Sequence, residues 1–157
     1  METVKIDFSQ FAAQMGSIIQ QLANVEISMR PIAVEVLGIM HKRIHTDGLD
    51  SNGNKIGTYS NAYLRERKAR GLGSGTDVIF VLTRKLSNSW TVFRSEKGYA
   101  IGFVDQGADG LTAMQKVKYY EDKTGKKILN MTDFEKQYAN DRIIEIASII
   151  IQQNTQK

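Results

Sequence analysis

The chain has 157 residues, of which 41% are apolar and 24% charged, with a formal net charge of +4; that is enough apolar material for one buried core and argues for a single domain over residues 1–157. The charge is mildly basic, compatible with contact to nucleic acid or an acidic protein surface and equally with plain solubility. The absence of cysteine excludes disulfides, thiolate zinc sites and cysteine nucleophiles. The start METVKIDFSQ does not read as a secretory signal, and the longest apolar run, residues 78–82, is far short of the roughly 20 residues that span a membrane.

Apolar residues at Phe11, Met15, Ile18, Leu22, Val25, Met29, Ile32, Val36 and Ile39 alternate steps of four and three, which predicts one long helix. Asp7, with Gln10 three residues on, suits its N-terminal cap. Pro31 removes a backbone donor within that span, so a kink or break is expected there. Beyond it Val34, Leu37, Met40 and Ile44 widen the apolar set and predict deeper burial against a sheet. Residues 11–25 make a narrower seam, suited to the chain's own core or to a neighbouring subunit.

Residues 46–57, TDGLDSNGNKIG, carry Asp-Gly and Asn-Gly dipeptides and read as a loop excursion, either flexible or a small hairpin. Ser60 suits the cap of a short helix over residues 61–70, which bears Arg65, Arg67, Lys68 and Arg70, with Tyr63 and Leu64 to anchor it. Gly71, Gly73 and Gly75 end that helix. Residues 77–82 (DVIFVL) read as a strand or the lead into one, and residues 89–94 and 99–104 as an antiparallel hairpin around a SEKG turn. Residues 111–123 fit a helix or an edge strand, and a helix is the expectation. Thr132 with Glu135 forms a capping box for the last helix, whose stripe Ile143, Ala147 and Ile150 is widened by Ile144 and Ile151. The polar tail 152–157 is expected to fray. The order predicts an α+β fold: a long kinked N-terminal helix, a short basic helix, a small antiparallel sheet of about three to four strands, and a C-terminal helix.

Few residues point to chemistry. His41 and His45 have the spacing by which two imidazoles reach one metal, but Lys42 stands where a zinc protease needs Glu and no third ligand follows, so surface or interface histidines are expected. Asp50, Asn52 and Asn54 imitate the first ligands of a calcium loop, yet Lys55 occupies the glycine position and Asn61 the position of the bidentate Glu. The glycines at 71, 73 and 75 follow a helix and precede a strand, the reverse of a phosphate-binding turn. No catalytic residue, cofactor or metal is assigned. The best physical lead is the basic helix, whose cations suit phosphates or acidic side chains as well as simple solvation. Lys123, Lys126 and Lys127 form a second basic cluster in a turn, read as solvated.

The chain resembles the phage virion morphogenesis or tail-completion family. The likeness lies in the helical N-terminal third, the loop and aromatic of residues 50–60, the Tyr-Leu helix rich in Lys and Arg (63–70), and the box Leu82-Thr83-Arg84-Lys85-Leu86-Ser87-Asn88-Ser89, followed by a hairpin and a final helix. Arg84 stands where the family has Gly, and residues 128–131 lack the Arg-Pro-Phe-Leu type of segment. The resemblance implies a non-enzymatic virion protein of the neck or tail, made in the host cytoplasm. It would form a homo-oligomeric ring that joins connector and tail, meeting portal or tail-tube proteins, with DNA passing through the lumen and no membrane involved. The expected contact residues are Asp50, Asn52, Lys55, Tyr59, Arg65, Arg67, Lys68 and Arg70. The alternative is a basic nucleic-acid-binding protein acting through residues 60–70.

Overall fold

A computed structural model of the protein describes residues 3–4, 29–80, 85–96, 98–104 and 110–155. In chain order the elements are β1 (Thr3–Val4), α1 (Arg30–His45), α2 (Asn61–Ala69), α3 (Lys85–Asn88), β2 (Trp90–Ser95), β3 (Gly98–Phe103), α4 (Ala113–Thr124) and α5 (Asp133–Thr155). The α+β class is therefore as expected. The seam of residues 11–25 and the Asp7–Gln10 pair lie outside the described residues.

Pro31 sits in the first turn of α1 and does not kink the described helix. The missing N–H costs nothing there, because first-turn donors have no intrahelical partner, and the fixed φ suits a helix start. Ile32, Val36, Met40 and Ile44, spaced by four, are all buried. They run through two adjoining cores: the first three pack with Ile101, Ala139 and Ile143, and Ile44 packs with Ile56, Val78, Phe103, Val117 and Ile128. Trp90 lies against both. Val34, expected to widen the buried set, is 46% exposed, as is Ile144 of α5, because only one side of each helix faces the sheet and its neighbour.

The sheet is smaller than expected. Its two full strands form the hairpin β2–β3, in register from Trp90↔Phe103 to Ser95↔Gly98, and the two residues of β1 pair along the other edge of β3. Among the described residues of the 77–82 stretch, 77–80, no further strand forms; residues 81 and 82 lie outside the described residues. Asp77 makes an isolated bridge to Thr58, Val78 N–H donates to the Gly57 carbonyl at 2.9 Å, and Ile79 N–H donates to the Tyr59 hydroxyl at 3.0 Å. Phe80 then takes φ 51°, which ends the extended backbone. The apolar run signals burial, and the side chains of Val78 and Phe80 do reach the core, but the amides of Val78 and Ile79 are satisfied outside the sheet's ladder.

Residues 111–123 resolve as a helix. Thr112 caps α4 in a reciprocal box with Gln115, and Gly125 closes it in the left-handed conformation. α5 opens on the expected box: Glu135 N–H donates to Thr132 Oγ1 at 3.1 Å, and Thr132 N–H to Glu135 Oε2 at 2.7 Å. The helix continues through Thr155, so the fraying expected from residue 152 is not seen up to that point; its last turns contain neither Gly nor Pro to stop the backbone ladder. α5 lies antiparallel to α1, since Arg43 meets Glu135 near one end and Glu35 meets Arg142 further along.

Candidate functional site

The loop of residues 46–57 is a docked hairpin. Leu49 and Lys55 bridge across it, Ile56 N–H donates to the Gly48 carbonyl at 2.8 Å, and Ser51 N–H donates to the Lys127 carbonyl at 2.8 Å. Asp50, only 3% exposed, organises the tip: one carboxylate oxygen accepts from the amides of Asn52 and Asn54, both at 2.9 Å. This is an Asx-type turn, in which a short carboxylate substitutes for backbone acceptors. Gly48 has φ +66° and a Cβ there would meet the Val78 carbonyl at 3.0 Å, while a Cβ on Gly57 would come within 2.6 Å of the Tyr120 hydroxyl. Gly48 and Gly57 thus serve close packing, while Gly53, at φ +78° with open space around it, serves the turn.

The expected contact residues divide into two groups. Asn52, Lys55, Arg65, Lys68 and Arg70 are exposed, Lys55 paired with Asp77 at 2.8 Å and Arg70 with Glu66 at 2.6 Å. Asp50, Arg67 and Tyr59 face inward. Arg67 is 2% exposed; its guanidinium lies 4.7 Å from the centre of the Tyr59 ring and donates to the Leu72 carbonyl at 3.1 Å. Tyr59 also meets the Tyr63 ring at 4.8 Å. Ser60 caps α2 by accepting from Tyr63 N–H. The anticipated row of four outward cations is therefore reduced to Arg65, Lys68 and the ion-paired Arg70, because Arg67 is the inward anchor of its own helix.

Sequence reasoning did not single out Arg43, whose side chain ties together four segments among the described residues. Its guanidinium donates to Glu135 Oε1 at 2.8 Å, to the Leu49 carbonyl at 3.0 Å, and to the carbonyls of Ile128 and Asn130, both at 3.1 Å. Glu135 is fully buried and uses its other oxygen in the helix cap. A signal was available: Arg43 continues the stripe of Val36 and Met40, so an arginine stands where the pattern calls for an apolar side chain. Beside this pair lies an open groove of about 370 Å³ lined by Ile39, Lys42, Asp47, Phe134 and Tyr138 among others.

His45 is internal, which corrects the expectation of a surface or interface imidazole there, whereas His41 is half-buried. Trp90 Nε1 donates to His45 Nε2 at 2.8 Å, so that nitrogen carries no proton, and Nδ1 is left to donate to the Ile79 carbonyl at 2.9 Å. Burial pushes His45 down to about 4, against the opposing pull of that carbonyl. His41 meets the Ser87 carbonyl at 3.0 Å and its ring lies 4.7 Å from that of His45. Both nitrogens of His45 are committed to holding α1 against β2 and the 76–80 segment. On the outer side, hydrogen bonding from Arg142 lowers the Glu35 carboxyl, and Tyr138 donates to the same oxygen at 3.0 Å.

No family model matches the chain, and no curated protein or solved structure is significantly similar to it. Among the described residues no helix is long and apolar enough to cross a membrane.

Proposed function

We propose that the protein is a structural assembly component, a head-to-tail joining or tail-completion protein of a virion that works by forming a ring with copies of itself. The observation that supports this best is the division of labour within its two surface elements. In the hairpin, buried Asp50 fixes a tip whose Asn52 and Lys55 face solvent; in α2, buried Arg67 fixes a helix whose Arg65 and Lys68 do so. An already ordered backbone loses little further entropy on contact, which favours recognition of another folded surface. In a ring the contact is heterologous, so each copy carries both the projecting element and the surface that receives it. The sequence resemblance supplies the setting, with connector or tail-tube proteins as neighbours.

Mass measurement of the purified protein, alone and with portal and tail-tube proteins, tests the reading. A closed oligomer or a stoichiometric complex is expected, and charge reversal at Arg65 and Lys68 should abolish it while leaving the melting temperature unchanged. A chain that stays monomeric at all concentrations and joins neither partner overturns it. The alternative, nucleic-acid binding through residues 60–70, now rests on fewer outward cations than the sequence promised.

A further inference from the structure

The fold brings together two basic segments that are remote in sequence, and this juxtaposition is independent of ring assembly. The hairpin and the turn after α4 are laced by the Ser51 N–H to Lys127 carbonyl bond and by Lys126 Nζ donating to the Lys55 carbonyl. Lys55, Lys126 and Lys127 therefore share one edge. From that edge the outer face of α4 carries Lys123, Tyr119 and Lys116, spaced by four and three, all exposed, with Tyr119 exposed to 68%. We propose that this edge and the outer face of α4 bind single-stranded nucleic acid, the lysines neutralising phosphates and Tyr119 stacking on a base.

Three observations favour that ligand over an acidic protein. Several arginines, whose planar forks suit bidentate pairing with carboxylates, are used inside the chain: Arg43 on Glu135, Arg67 on Tyr59, and Arg142 on Glu35. The edge offers lysines instead, mobile point charges that follow a phosphate backbone without demanding fixed geometry. Two nearby carboxylates are already engaged, Asp77 with Lys55 and Glu121 with the amides of Ile128 and Leu129, leaving Asp122 as the exposed acid of the face. Tyr119 is the third: an aromatic ring displayed between lysines has a hydration cost that base stacking removes, and stacking is tolerant of sequence.

The test is fluorescence anisotropy of the full chain with a labelled single-stranded oligonucleotide, its duplex and a poly-glutamate competitor, across a salt series. Binding to the single strand should exceed binding to the duplex. Tyr119→Ser should weaken it roughly ten-fold and Tyr119→Phe should restore it, as a stacking contact requires. Lys123→Gln with Lys127→Gln should reduce the slope of log affinity against log salt by about 1.4, the value for two phosphate contacts on a single strand. At protein concentrations where the parent is monomeric, Arg65→Gln with Lys68→Gln should leave both quantities unchanged. The proposal is overturned by absence of binding, by Tyr119→Ser binding like the parent, by poly-glutamate competing as well as the oligonucleotide, or by loss of binding in the α2 variant instead.

Discussion

Two buried arginines hold two regions of this molecule, and they do so by different physics. Arg43 lies at the junction of α1, the hairpin, residues 128–130 and the start of α5, and its charge is matched by a buried carboxylate, Glu135. Arg67 lies within a local excursion from residue 59 to residue 72, where a tyrosine face and a carbonyl receive it. The first connects residues as far apart as 92 positions, the second residues within eight. Loss of the first should thus be felt by the whole fold, and loss of the second by α2 alone.

The largest expected effect is at the junction. Arg43→Met leaves Glu135 buried without its counter-charge and four acceptors short of a donor, which should cost about 3–5 kcal/mol in denaturant unfolding. Adding Glu135→Gln should recover part of that loss, because Gln is neutral yet still reaches back in the capping box. A single-variant cost below about 1 kcal/mol would mean that the guanidinium is not the tie described here.

The next effect is pH dependence, and it belongs to the same half of the molecule. His45 titrates near 6.5 when unfolded and near 4 when folded, so between those values the unfolded chain holds the extra proton. Its contribution is therefore complete above pH 6.5 and is lost as the pH falls toward 4, a difference of roughly 3 kcal/mol across the window. Unfolding free energies measured at several pH values for the parent and His45→Gln should show that slope in the parent and a flatter one in the variant. Equal slopes would assign the acid sensitivity to other groups.

Arg67→Ala should be smaller and local, about 1–3 kcal/mol. Hydrogen exchange should quicken across residues 59–79, where Tyr59 and its bond to Ile79 lose their support, while the amides of α1 and α5 keep their protection. Global loosening would erase the contrast between the two arginines.

That contrast also marks what could be read without a structure. The β2–β3 hairpin and the Thr132–Glu135 cap were legible because alternation and capping are local rules, and α4 was within reach through the unread box Thr112–Gln115. The inward turn of Arg67 was not legible: along residues 65–70 it has the same local chemistry as its outward neighbours, and only the approach of Tyr59 and Leu72 distinguishes it. Asp50 is the same case in a loop, where a turn-forming carboxylate and a contact carboxylate look alike. Over residues 77–80 the strand expectation fails for a further reason, since apolar content reports burial and says nothing of where the amides bond.

The smallest effect on stability, and the one that most sharpens the comparison, is at the outward residues of α2. Arg65→Gln with Lys68→Gln removes two exposed cations, and surface substitutions of this kind change stability by less than about 0.5 kcal/mol. The α2 framework should be unaffected, because Ser60 still caps the helix and Arg67 still seats it on Tyr59. If these side chains meet a neighbouring copy, oligomer mass should fall although the melting curve does not move. A drop in both together would place Arg65 and Lys68 with Arg67 as parts of the framework, and an unchanged mass would move the subunit contact away from α2 to the hairpin tip at Asn52 and Lys55.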